Sequence, residues 1–333
     1  MAATSVHSRI DAEKIRKNKE TISKVKSELR RAVVGQEAAI DAVVRSLLCG
    51  GHLLIEGVPG IAKTLMMISL ASVVNVKFKR IQFTPDMLPS DITGIQTYDP
   101  KKGFTTIKGP VFTNFVLADE INRAPPKVQS ALLEAMQEYK VTIGDTTYDL
   151  ERPFLVMATQ NTIESLGVYD LPAAQLDRFL FKLVMRYPSF DEEKLILRRN
   201  ITLNEFSEFQ LRPVIGPREI GEMQALTKQV YVSSQVEDYI VRLIEATRQP
   251  AKYNLDTARY IEEGSSPRGS IALYIAAKAQ ALMSGSTFAT PEHVKDVAND
   301  VLSHRIIINY EGQAEGIRQD KIVHEMLAKV PIS

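Results

Sequence analysis

Scarcity is the first information in this 333-residue chain: one cysteine, no tryptophan and a net charge of only +1. Cys49 stands alone, so no internal disulfide can form and no zinc site can be built from cysteine partners; a reducing, cytoplasmic setting is the expectation. No apolar run approaches the ~20 residues that span a bilayer, and the N-terminus alternates charges where a signal peptide needs an unbroken apolar stretch. With 41 Lys+Arg against 40 Asp+Glu there is no excess for bulk phosphate neutralisation, which argues against nucleic acid as a partner. What is present, 44% hydrophobic and 24% charged residues, is the balance of a globular chain with core enough for one large domain or two ordinary ones.

Residues 1–31 hold nine Lys/Arg and four Asp/Glu, with Ile22, Val25 and Leu29 at helical spacing. They read as an amphipathic helix laid against the body of the protein. From 32 to 187, short apolar runs alternate with helical patterns: 52–57, 77–83, 115–120, 154–160 and 181–187. Most alternate little, as strands of a parallel sheet do when both faces are covered, so a three-layer αβα sandwich with five parallel strands is expected. Two inserts, 92–109 and 141–150, carry turn chemistry between β-prone flanks and read as hairpins projecting from the core. Residues 188–215 read as a linker, and 216–333 as a small all-α domain without strands.

The strongest chemical signal is Gly57-Val58-Pro59-Gly60-Ile61-Ala62-Lys63-Thr64, followed by Leu65. It follows an apolar strand and opens a helix. There glycines let backbone N–H groups wrap phosphates, Lys63 reaches the β- and γ-phosphates and Thr64 holds Mg²⁺. Ala62 occupies the place of a second glycine, which is tolerable at negative φ. One βαβ unit downstream, the strand 115–120 ends in Asp119 and Glu120. Two acids at a buried strand end are costly unless they hold a cation or polarise a water. Asp119 is assigned to the Mg²⁺ shell and Glu120 to activating the attacking water, which makes the pair of motifs a nucleoside-triphosphate site.

Further residues fit a particular class. Asn161 ends the strand 154–160 and could order the water. Arg178 precedes the last strand and would point to a neighbouring subunit, although a salt bridge with Asp177 is an alternative. Ser266-Pro267 makes a helix N-terminus that places Arg268 where it could reach back to the γ-phosphate. Val34-Gly35-Gln36 is the expected adenine-side contact. The five histidines have no ligand spacing, and His304-Arg305 near a helix end reads as capping carbonyls.

The order of these elements is that of AAA+ ATPases. The wording GVPGIAKT, GPVFTNFVLADEINRAPPKVQSALLEAMQE, ATQN and YDLPAAQLDRF resembles the MoxR family from about Lys26 onward. Ala62 is similar to that family's own variant of the loop. The resemblance implies a helix-2-insert module whose hairpins face the pore of a hexameric ring. It makes Arg178 the finger completing a neighbour's site, Arg268 sensor 2 and Arg123 an intersubunit contact. It also implies a chaperone-like role in maturation, complex assembly or metal insertion, often beside a partner with a von Willebrand factor A domain. A DNA-translocating motor and a nucleotide-gated scaffold with negligible hydrolysis are the competing readings.

Overall fold

A computed structural model describes residues 12–58, 60–101, 103–160, 168–199 and 206–332. The chain opens with α1 (Ala12–Ala32) and α2 (Glu37–Cys49), then runs β1 (Leu53–Glu56), α3 (Lys63–Val73) and β2 (Phe78–Gln82). A short α4 (Pro89–Thr93) leads into the hairpin β3 (Gly94–Asp99) and β4 (Gly103–Lys108). After β5 (Phe115–Asp119) and α5 (Pro126–Glu138) comes a second hairpin, β6 (Lys140–Ile143) and β7 (Thr146–Asp149). Then follow β8 (Leu155–Gln160), α6 (Ala173–Leu176), β9 (Phe181–Val184) and α7 (Phe190–Arg199). The remainder is α8 (Pro217–Gln229), α9 (Ser234–Arg248), β10 (Ile261–Glu263), α10 (Pro267–Ser284), α11 (Pro291–Leu302), β11 (Ile307–Ile308), α12 (Tyr310–Ala314) and α13 (Gln319–Lys329).

Five strands form one parallel sheet in the order β2-β5-β8-β1-β9. Side chains of a strand alternate between faces, and here the two faces feed two different cores. Phe115, Leu117, Leu155, Met157, Leu53 and Ile55 join the cluster shared with α1, α2 and the C-terminal helices. Val116, Ala118, Val156, Ala158 and Leu54 join the cluster under α5. Every residue of β5 and β8 is buried, which is why these runs show no polar alternation. The edge strand β2 is different: only Ile81 is buried, and Arg80 and Gln82 share its other face. The sheet order brings the C-terminal ends of β1, β8 and β5 side by side, the position at which parallel α/β sheets bind ligands.

α1 lies against α3 and α10, burying Ile15, Ile22, Val25 and Leu29. Each such side chain contributes about 1.5–3 kcal/mol of transfer free energy. Beyond α7 the chain is helical, with one correction to the expectation of no strands. β10 and β11 pair antiparallel, Ile261 opposite Ile308, in a two-stranded ribbon too short to show period-2 patterning. Both predicted hairpins form; Gly103 (φ +75°) and Gly144 (φ +59°) supply the left-handed turn positions. Among the described residues no helix is long and apolar enough to cross a membrane.

Candidate nucleotide site

The loop between β1 and α3 turns back on itself through Gly60 (φ +83°), where an added Cβ would meet no heavy atom within 4 Å. α3 begins at Lys63, so its unpaired N–H groups and positive dipole end face the same space. Lys63 Nζ donates to Gly57 O at 2.9 Å. Burial pulls the Lys63 pKa down, while Asp119 and Glu120 act in the opposite direction. Gly60, Ala62, Lys63, Thr64 and Leu65 line a cleft of about 410 Å³ together with Arg80, Asp119 and Glu120. Ile61 and Val58 pack towards the apolar core. Pro59 and Asn161 lie outside the described residues.

The conformation of Ala62 differs from expectation. Its φ is +64° with ψ +21°, so the residue caps α3 in the left-handed region and not at negative φ. Gln36 (φ +55°) and Glu120 (φ +57°) share the same conformation. Left-handed backbone costs a non-glycine residue about 1–2 kcal/mol, and such strain gathers at functional sites.

The two acids are held by residues that sequence reasoning did not single out. Thr159 Oγ1 donates to Asp119 Oδ1 at 2.7 Å and accepts the Glu120 N–H at 2.9 Å, fixing both from the neighbouring strand. Arg80 grips Asp119 Oδ2 through Nε (3.1 Å) and Nη2 (2.6 Å). Gln82 Nε2 donates to Glu120 Oε2 at 3.0 Å, and Arg123 Nε lies 2.8 Å from the same oxygen. Arg123, implied as an intersubunit contact, thus pairs with Glu120 of its own chain. The available signal for Arg80 and Gln82 is their i, i+2 placement on one face of a polar strand; what hides them is the non-local pairing of β2 with β5.

The donor set fits a magnesium ion that arrives with a nucleotide. Thr64 and Asp119 offer hard oxygen donors in one cleft, and most of the coordination shell of Mg²⁺ comes from phosphates and water. Among the described residues no group of three or more His, Cys, Asp or Glu could hold a metal by itself. The guanidinium of Arg80 stands on Asp119 as a monovalent counter-charge.

Val34, Gly35 and Gln36 sit beside the chain that leaves β9. Val34 is buried, and Gln36 Nε2 donates to Arg186 O at 2.9 Å just beyond β9. Gly35 (φ +65°) leaves room for Glu192 of α7, whose carboxylate oxygen would lie 2.4 Å from an added Cβ.

Arg178 and Arg268 are brought together, and neither lines the phosphate cleft. With Asp177, Met136 and Gln137 they line a separate pocket of about 220 Å³. Arg268, expected to reach back to the γ-phosphate, is not among the residues that line the phosphate cleft. Ser266 caps α10 by accepting the Arg268 N–H at 3.1 Å, and its hydroxyl also donates to Asp177 Oδ2 at 2.9 Å. That bond fastens the N-terminus of α10 to the turn carrying Arg178. Asp177 does not pair with Arg178; its partners are Arg305 at 2.8 Å and Arg268 at 3.9 Å. Arg178 keeps a buried Nε without a hydrogen-bond partner.

A phosphate loop at the end of β1, acids at the end of β5 and a helical C-terminal segment are the arrangement that the comparisons recognise. Residues 52–181 match the profile of the ATPase family associated with various cellular activities (AAA), and residues 254–326 match its lid domain. The chain is 42% identical to Chaperone MoxR1 of Mycobacterium tuberculosis, covering 94% of this chain and 82% of that protein. The chain belongs to the MoxR family of AAA+ ATPases. The uncharacterized protein YeaC of Bacillus subtilis is 44% identical over 93% of this chain and 95% of its own length. A crystal structure from Cytophaga hutchinsonii, provisionally called an ATPase, superposes with a TM-score of 0.89 at 47% identity, covering 96% and 97% of the two chains. The MoxR-family fold accounts for the parallel five-stranded core and the helical lid.

Proposed function

We propose that this MoxR-family protein hydrolyses ATP only in a ring, hexameric by family resemblance, because each chain carries two halves of two different sites. The observation that carries this reading is that Arg178 and Arg268 share one pocket while neither lines the phosphate cleft. In the cis half, Lys63 and the N-terminus of α3 bind the β- and γ-phosphates, and Asp119 with Thr64 holds Mg²⁺. The metal ion, when bound, neutralises charge developing on the phosphate oxygens. Glu120 takes the proton of the attacking water, Asn161 orders that water, and Gln82 and Arg123 restrain the carboxylate until substrate is in place. In the trans half, Arg178 and Arg268 together present two guanidinium groups against one Asp177 carboxylate, leaving positive charge for a neighbour's γ-phosphate. Val34, Gly35 and Gln36 take the adenine side. An arginine supplied in trans accelerates phosphoryl transfer by about 10³–10⁵.

The work done with that energy is remodelling of client proteins, in maturation, complex assembly or metal insertion, with a von Willebrand factor A domain protein as partner. Support comes from the first hairpin: Tyr98 and Phe104 form a T-shaped pair, centroids 5.2 Å apart, on a projecting and exposed ribbon. An apolar grip of that kind suits exposed segments of protein more than a phosphate backbone.

Subunit mixing tests the reading. Glu120→Gln should bind ATP without turning it over, and Arg178→Ala should be inactive although its own cleft is intact. Mixed in equal amounts, about a quarter of interfaces would pair a working cleft with a working arginine, and hydrolysis should return to that extent. Absence of activity in the mixture would refute the trans assignment.

A further inference from the structure

Arg305 is the most heavily engaged buried charge in the described residues outside the nucleotide cleft, and the nucleotide chemistry itself has no direct use for it. Its side chain is 3% exposed. It comes from the turn Ser303–Arg305 that closes α11, in the C-terminal helical segment. Its guanidinium closes on the turn between α6 and β9. Nε donates to Asp177 Oδ1 at 2.8 Å, Nη2 to Asp177 O at 3.2 Å and to Phe179 O at 2.7 Å, and Nη1 to Leu180 O at 3.3 Å. Nη1 also donates to Val301 O of its own helix end. Thus one planar fork holds the carboxylate before Arg178 and three carbonyls on either side of it.

We infer that Arg305 is a positioning residue for Arg178: it sets the backbone that aims the trans arginine, and so makes the lid and the neighbour-facing edge of the core one rigid block. The chemistry favours this over a purely stabilising role. A carbonyl cap at a helix end needs one or two donors, and here donors reach four acceptors of a single turn on another element. Arginine alone presents that many donors in a fixed fork; lysine is a point charge and cannot reproduce it. Asp177 is shared as well: Ser266 and Arg268 of α10 contact its other oxygen, so two lid elements converge on the residue preceding Arg178. A lid that shifts with nucleotide in its own subunit would then carry Arg178 with it into or out of the next subunit's site.

This inference rests on the proposed trans role of Arg178, and the test separates the two. In full-length protein, Arg305→Gln removes the fork, and Asp177→Asn keeps the shape of the acceptor while removing its charge. The second variant decides the matter should Arg305→Gln melt below the assay temperature. Expected for each is binding of a fluorescent ATP analogue within about twofold of wild type. Turnover in the assembled protein should fall about a hundredfold, the effect of a misplacement near 1 Å. Mixing with Glu120→Gln subunits, whose Arg178 is correctly held, should restore activity as it does for Arg178→Ala. Turnover within about threefold of wild type overturns the inference. So does joint loss of nucleotide binding, or failure of rescue where Arg178→Ala is rescued. If Arg178→Ala itself is not rescued, the trans reading falls instead.

Discussion

Replacing Ala62 with glycine should stabilise the nucleotide-free protein, although glycine inside a helix does the reverse. The reason is the left-handed backbone at this position, φ +64° and ψ +21°. An L-residue with a Cβ loses about 1–2 kcal/mol there. Against this gain, glycine adds freedom to the unfolded chain, which removes about 0.4–1 kcal/mol. The balance is a net stabilisation of about 0.5–1 kcal/mol. At about 2–4 °C per kcal/mol for chains of a few hundred residues, that is a rise in Tm of about 1–4 °C. Thermal melts of the wild type and of Ala62→Gly, at one protein concentration and without nucleotide, would show it. Ala62→Val gives the opposite arm, since a β-branched residue at positive φ is strained further. A loss of about 0.4–1 kcal/mol in Ala62→Gly, the unfolded-state cost of glycine with no backbone strain to relieve, would show that the alanine is not left-handed and refute the reasoning.

Other perturbations follow from the same geometry. His52 is buried and neutral, with Nε2 donating to Met136 O and Nδ1 accepting the Val156 N–H, and burial pushes its pKa down to about 4. A depressed histidine pKa means that the unfolded chain takes up more protons, so stability is complete above about pH 6.5 and falls as pH drops towards 4. The loss reaches roughly 3 kcal/mol, and denaturant titrations across that range should flatten in His52→Gln. Arg80→Ala frees Asp119 Oδ2 and should tighten Mg²⁺-dependent nucleotide binding by about two- to fivefold, the scale of a half-exposed ion pair. Equal or weaker binding in a fluorescent-nucleotide titration would mean that the guanidinium contacts phosphate itself. Tyr98→Ala and Phe104→Ala should leave basal hydrolysis intact and abolish its stimulation by a reduced, alkylated, permanently unfolded polypeptide; stimulation that survives both would remove the hairpin from client contact.

Much of the core could be read in advance because its signals are local. An apolar run closed by glycines, or by Asp119 and Glu120, announces a strand end; turn residues between β-prone flanks announce a hairpin. The buried pair Met66 and Met67 fills the core as its helical placement implies. His304-Arg305 is legible as a carbonyl cap, though its target 126 residues earlier, Phe179, is not. What escapes is set by single long-range contacts. Strand order puts β2 beside β5, which alone brings Arg80 and Gln82 to the acids. The hydroxyl of Ser266 ties the start of α10, and with it Arg268, to Asp177, a contact between residues 89 apart in the chain. The sign of φ at Ala62 belongs to the loop and not to the residue, so no reading of side-chain preference reveals it.

The placement of α1 bears on how the chain is made. Its apolar stripe is buried partly against α3 and partly against α10. Roughly 230 residues separate Ala32 from Pro267, which at 5–20 residues per second is an interval of about 10–50 s during synthesis. Throughout that interval a basic amphipathic helix with Ile15, Ile22, Val25 and Leu29 has only part of its final cover. A ribosome-bound chain is thus itself a substrate for holding factors, and trimming α1 would uncover the same groove in the finished protein.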